Sequence, residues 1–241
     1  MAVAGKIFSK ALWNRYNAGQ IPVIPDIKRR SPGEGDLLQG RNPAEFAQAM
    51  TTAGAPVLSV VTEAEHFGGS LELLQRIVRN TSVPVLRKDF INHPAQLQES
   101  VDSGASAVLL IASMLEKKQL FKLIEQSLLL GLEPLVETHS EVEVRIVNEL
   151  KLTLVGINNR NILELETDDG SVNTTEKLAG FLRPGTLVVS ESAIAFPADV
   201  RRASAAGAHA VLVGTAILQA ENPQGKYREL SEARRIHNDT R

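Results

Sequence analysis

Cysteine is absent from this sequence of 241 residues. Its absence excludes disulfides, thiol nucleophiles and metal sites built on thiolates, and it suits a protein of the cytosol, where disulfides are rare. Excess charge is nearly absent as well. Lys and Arg number 26 against 28 Asp and Glu, a formal net charge of -2, so nothing in the balance calls for nucleic acid or an anionic membrane as partner. Long apolar runs are missing too. The strongest, Val108 to Leu115, is far shorter than the ~20 residues that cross a bilayer. Residues 1 to 10 show no apolar stretch of the signal-peptide kind. The histidines (His66, His93, His139, His209 and His237) are scattered without ligand spacing, so no metal is expected. Neither a dinucleotide-binding glycine fingerprint nor a serine nucleophile elbow occurs.

What remains is a regular alternation. Hydrophobic residues make up 43% of the chain, enough for one large core. Apolar runs rich in Val, Ile and Leu occupy 23–27, 56–61, 84–87, 107–111, 134–136, 153–157, 186–189 and 210–213. They are continuous, as strands covered on both faces are. Between them, 43–53, 70–79, 94–103, 117–130, 140–149 and 197–206 carry apolar residues at helical spacing. A βα unit used about eight times predicts an α/β fold, a (β/α)8 TIM barrel of one domain, and the length suits the ~250 residues of that fold. A doubly wound open sheet needs a tight glycine turn after its first strand. Here a long loop, Arg29 to Asn42, follows instead. Phe8, Leu12 and Tyr16 recur every fourth residue, which predicts a short helix covering part of the barrel. The expected organisation is thus a helical extension over 1–20 and the barrel over 21–241.

In such a barrel the chemistry lies at the C-terminal ends of the strands, and charged residues gather there. Asp26 and Lys28 end the first run, two apart and so on one side; a plain salt bridge at the rim is the other reading. Lys88 ends the third. Burial or a neighbouring cation lowers a lysine's pKa from its usual ~10.4 towards that of a useful acid, whereas a surface lysine would do nothing. Glu137 ends the fifth run as a candidate base facing that acid. His139 shares its side, but a helix is expected to begin at Ser140, so His139 is read as belonging to the helix cap. Asn158 suits a sugar-like hydroxyl or, equally, a backbone turn. Glu191 and Ser192 follow the seventh run, and Gly214 and Thr215 the eighth; the last two loops of these barrels commonly bind phosphate. The loop 29–42, with Gly33, Gly35 and Gly40, is read as a lid.

Taken in order, the phrases Asp26-Ile-Lys-Arg-Arg-Ser-Pro, Thr62-Glu-Ala-Glu-His-Phe-Gly-Gly-Ser, Val85-Leu-Arg-Lys-Asp-Phe, Leu135-Val-Glu-Thr-His, Gly156-Ile-Asn-Asn-Arg-Asn, Ser190-Glu-Ser and Leu212-Val-Gly-Thr resemble the indole-3-glycerol phosphate synthase family from about residue 21 to about 220. The resemblance implies a small phosphorylated substrate, 1-(2-carboxyphenylamino)-1-deoxyribulose 5-phosphate, closed to an indole with loss of carbon dioxide and water, and no cofactor. It implies Lys88 as general acid, Glu137 as general base or proton partner, and Lys28, beside Asp26, as an assisting lysine. Asn158, Glu191 and Ser192 would hold hydroxyls and ring; Phe67, Phe90, Leu109 and Ile111 would wall the anthranilate ring. Gly214 and Thr215, with backbone near Ala193, would cradle phosphate, and Ser31 and Pro32 would belong to the lid. The chain departs from the family at Asp26 (usually glutamate), Gly33 (usually serine) and Ala193 (usually glycine). Two other readings stand beside the synthase: a different sugar-phosphate enzyme such as an isomerase or lysine aldolase, and a weakened paralogue that binds a related phosphorylated ligand.

Overall fold

The computed structural model describes residues 7–31, 34–160 and 171–233. Eight parallel strands close on themselves: β1 (Val23–Ile27), β2 (Leu58–Val61), β3 (Val85–Lys88), β4 (Ala107–Ile111), β5 (Glu133–Thr138), β6 (Leu154–Asn158), β7 (Leu187–Glu191) and β8 (Ala210–Val213). Each pairs with its neighbours in chain order, and β8 closes the ring against β1 through Val23–Val211 and Pro25–Val213. All eight coincide with the apolar runs. Around them lie α1 (Ile7–Asn17), α2 (Pro43–Thr52), α3 (Leu71–Arg79), α4 (Pro94–Asp102), α5 (Lys117–Leu129), α6 (Glu141–Glu149), α7 (Asn173–Leu178), α8 (Pro197–Ala205), α9 (Thr215–Leu218) and α10 (Pro223–Ser231). Among the described residues no helix is long and apolar enough to cross a membrane.

The helix starts are written locally. Asn42 and Ser70 accept the first free N–H groups of α2 and α3, and Pro43 and Pro94 occupy first-turn positions where no donor is lost.

Strand parity decides what enters the barrel. Ile24, Leu86, Leu109, Leu135, Leu154, Val189 and Leu212 pack together in the lumen. Their neighbours in sequence face outward: Val23, Val85 and Val211 pack under one group of helices, and Val108, Val136 and Val155 under another that includes α5. Two residues beyond the luminal Ile24, Leu86, Leu135 and Val189 stand Asp26, Lys88, Glu137 and Glu191. The layer above the apolar plug is therefore charged.

Helix α1 closes the opposite end. Phe8 and Leu12 are fully buried and join the luminal cluster. The backbone N–H groups of Phe8 and Ser9 donate to the carboxylate of Glu133, at the start of β5, at 2.6 and 3.2 Å. A carboxylate there satisfies donors that a helix start leaves free and meets the positive end of its dipole.

The segment expected as a lid is largely anchored. Arg30–Ser31 and Gly35–Asp36 form a small antiparallel ribbon, Asp36 accepts from the N–H groups of Leu38 and Gly40, and Leu37 and Leu38 are buried in the core. Pro32 and Gly33 lie outside the described residues.

Because Phe8 fills the barrel floor, Phe8→Ala is expected to lower the unfolding free energy by about 3–5 kcal/mol. Urea denaturation followed by circular dichroism measures this.

Candidate active site

A cavity of about 350 Å³ opens at the C-terminal ends of the strands. Asp26, Lys28, Lys88, Arg160, Ser192, Ala193, Gly214 and Thr215 line it, so the end of β1, the end of β3 and the loops after β6, β7 and β8 share one opening. Lys88 is thus not a surface lysine. Glu137 is fully buried, and its carboxylate is drawn to the Lys88 ammonium across the lumen. Lys88 and the Gly214 turn share the cavity, and Glu137 is buried within reach of the Lys88 charge.

The individual contacts are specific. Ser59 donates to Asp26 Oδ1 at 2.6 Å. Lys28 Nζ donates to Ser31 Oγ at 3.3 Å and lies 5.8 Å from the centre of the Phe67 ring. Phe67 meets Phe90 edge-on at 6.5 Å between centroids, and Phe90 packs against the luminal cluster that holds Leu109 and Ile111. The four residues expected to form an apolar wall are thus linked by contact. Asn158 fills the turn reading made of it. Its Oδ1 accepts the Arg160 N–H at 3.0 Å, holding the turn, and its side chain helps to lower the pKa of Glu137.

Two luminal carboxyls are driven apart in acidity. Burial alone would push Glu137 up, but the close His139 ring, the charges of Lys88 and His139, and the polar side chain of Asn158 together hold it below the usual carboxylate range. Glu191, equally buried, is pushed well above that range, first by burial and then by the negative charge of Glu137; Lys88 offsets part of this, and Asp26 adds to it. The ionised form is thus favoured at Glu137 and opposed at Glu191. Separated carboxyl pairs of this kind divide base from acid. Gly156 makes the approach possible: a Cβ there would lie 2.2 Å from Glu191 Oε1.

Three groups escaped the sequence reading. His139 is the main correction. It does precede the N-cap Ser140, but its ring turns inward, with Nε2 3.3 Å from Glu137 Oε1. Its shared parity with Glu137 was the available signal. Asn159 ties the site's far wall: its Nδ2 donates to Ser190 Oγ, to the Glu191 carbonyl and to the Ser192 carbonyl, and its Oδ1 accepts from Thr175. Arg160 lines the cavity, and no periodicity pointed to it.

A model of the indole-3-glycerol phosphate synthase family matches residues 2–230. The chain belongs to the indole-3-glycerol phosphate synthase family. It is similar to the indole-3-glycerol phosphate synthase of Thermococcus kodakarensis, 44% identical over 210 residues that cover 87% of this chain and 92% of that one. With the Pyrococcus furiosus protein of the same name it shares 43% identity over 213 residues, covering 88% and 92%. With that of Kineococcus radiotolerans it shares 40% over 213 residues, covering 88% of this chain and 77% of the relative.

The synthase family resemblance put a glycine at position 193, and the backbone explains why. Ser192 and Ala193 adopt φ of 66° and 58°, the left-handed region that costs a side-chain-bearing residue about 1–2 kcal/mol. Ala193→Gly is expected to stabilise the protein by about 0.5–1 kcal/mol, the relief being partly offset by a more flexible unfolded chain. The shift of the urea midpoint reads this directly, and a lower midpoint would contradict it.

Proposed function

We infer that the protein is an indole-3-glycerol phosphate synthase, a carbon–carbon lyase that closes 1-(2-carboxyphenylamino)-1-deoxyribulose 5-phosphate to indole-3-glycerol phosphate, with release of carbon dioxide and water, as a step of tryptophan biosynthesis. One observation carries the reading: Lys88 opens into a cavity whose wall includes the Gly214–Thr215 turn, and its charge acts on the buried, ionised Glu137 of the same lumen. A cavity of this size holds one small ligand. The lack of cysteine supports the cytosol as its compartment.

The residues supply the chemistry in order. The turn Gly214–Thr215 and the backbone at Ala193 grip the phosphate, while Phe67, Phe90, Leu109 and Ile111 hold the aromatic ring. Ser31 and Pro32 complete the contacts to the ligand. Fixing both ends brings the ring carbon that bears the carboxylate against the ketone carbon, which removes much of the entropic cost of the encounter. As the carbon–carbon bond forms, the ketone oxygen gains charge and takes a proton from Lys88. Carbon dioxide then leaves and the ring regains its aromaticity. The new hydroxyl leaves as water with a proton supplied by Lys28, while Glu137 accepts the proton lost by the adjacent ring carbon. Lys28, braced by Ser31 and next to Asp26, assists proton transfer; Asn158, Glu191 and Ser192 hold the sugar-derived hydroxyls.

The test is direct. Purified protein incubated with the carboxyphenylamino-deoxyribulose phosphate is expected to yield the fluorescent indole product. Lys88→Met and Glu137→Gln are each expected to lower kcat by at least ~100-fold. Asp26→Glu is expected to lower turnover, because a longer side chain disturbs the bond from Ser59. Folded wild-type protein that binds a substrate analogue without turnover would sink the reading, and a gain of activity in Asp26→Glu would favour the weakened paralogue.

A further inference from the structure

The reading above gives His139 and Glu143 nothing to do, yet they form a continuous row with Glu137. His139 Nε2 lies 3.3 Å from Glu137 Oε1, and its Nδ1 lies 3.6 Å from Glu143 Oε2. The outer carboxylate is held from several sides. Glu143 Oε2 accepts the backbone N–H of His139 at 2.7 Å, and its Oε1 accepts from Ser140 Oγ at 2.9 Å. Ser140 in turn accepts the Glu143 N–H, a reciprocal cap that starts α6. Glu143 is therefore built into the helix start and cannot follow the ring if the ring moves. A neutral imidazole has one N–H and can donate to only one of its two carboxylates; an imidazolium donates to both.

We propose that His139 is a positioning residue that acts as an imidazolium: Glu143 holds its charge and orientation, and the ring keeps Glu137 ionised and aimed at the cavity. The proposal rests on Glu137 serving as the proton acceptor of the synthase reaction. It also gives that reaction something Lys88 cannot. Lys88 is the other cation facing Glu137, and in the proposed mechanism it gives up its proton. From that moment its charge no longer supports the carboxylate, whereas His139 remains. The other groups around Glu137 are accounted for: Asn158 on β6 favours its charged form, while Glu137 and Asp26 on β1 both raise the pKa of Glu191 on β7. The neighbouring end of β4 brings Ile111, paired with Glu137 in register, and no charge. In support, burial lowers the His139 pKa, but Glu137 and Glu143 outweigh it and raise it to about 9.

The experiment combines kinetics with a measurement that needs no turnover. The pH dependence of kcat/KM is compared for wild type, His139→Gln, Glu143→Gln and the double variant. His139→Gln is expected to move the acid limb to higher pH and to lower kcat at pH 7 by about tenfold, with recovery in alkaline buffer. Glu143→Gln is expected to act in the same direction, more weakly, and to add nothing once His139 is replaced. A loss uniform across pH, or independent effects of the two substitutions, would overturn the proposal. In the unliganded wild-type protein, the ring nitrogens followed by NMR are expected to report a charged imidazole through pH 8. A ring that titrates in the ordinary imidazole range would overturn it whatever the kinetics. An imidazolium present in wild type and lost at pH 8 in Glu143→Gln, in a protein that makes no indole product, would uphold the row and fault the assigned reaction instead.

Discussion

The site depends on keeping charge inside the barrel. Glu137 and Glu191 are both wholly buried at the top of the lumen, and burial of either as an anion is costly. The structure compensates for one of them. Lys88, His139 and Asn158 offset the desolvation of Glu137, while the negative charge of Glu137 outweighs Lys88 at Glu191 and pushes its acidity the other way. Two anions this close in a lumen would repel each other strongly. The asymmetry of partners thus drives apart the acidities of two chemically identical side chains. Removing a cation from this group would change the protonation of both carboxyls, because each sets the other's field.

Barrel geometry makes such concentration affordable in structural terms. Alternate residues of every strand enter the lumen, so one layer is filled by Leu86, Leu109, Leu135, Leu154 and Leu212, and the next receives whatever stands two positions on. The apolar layer below and the buried Phe8 and Leu12 of α1 at the far end seal the lumen from water at the floor. The sealed floor gives the electrostatic terms at the mouth their strength, since interactions between charges grow as solvent is excluded. The two ends of one strand thus differ, with Glu133 at the start of β5 anchoring α1 and Glu137, four residues on, buried under the charge of Lys88.

Most of this arrangement was legible in the sequence for one reason: strand parity and strand order are one-dimensional facts. The eight runs gave the eight strands, and residues ending them, Asp26, Lys88, Glu137, Asn158 and Glu191, could be placed in the lumen by counting in twos. His139 passed the same count but was set aside because Ser140 so plainly begins a helix. The two roles are compatible: the residue before an N-cap is still extended, and its side chain still follows the strand's alternation. Asn159 and Arg160 were not legible because their importance lies in contacts between neighbouring strands' loops. Asn159 joins the turn after β6 to the carbonyls after β7 and to Thr175, and nothing local to Asn159 encodes that distance.

The loop from Arg29 to Asn42 shows how composition can mislead. Three glycines in fourteen residues suggested a free lid, but Leu37 and Leu38 are buried and Asp36 binds the following backbone, so the C-terminal half is part of the scaffold. The N-terminal half meets the last βα turn. There Glu34 accepts a hydrogen bond from the Thr215 hydroxyl at 3.2 Å, which places a carboxylate at the turn proposed to grip phosphate. Two anions cannot share those donors without repulsion. Entry of a phosphorylated ligand therefore requires Glu34 to withdraw. The side chain is exposed, so its displacement into water costs little.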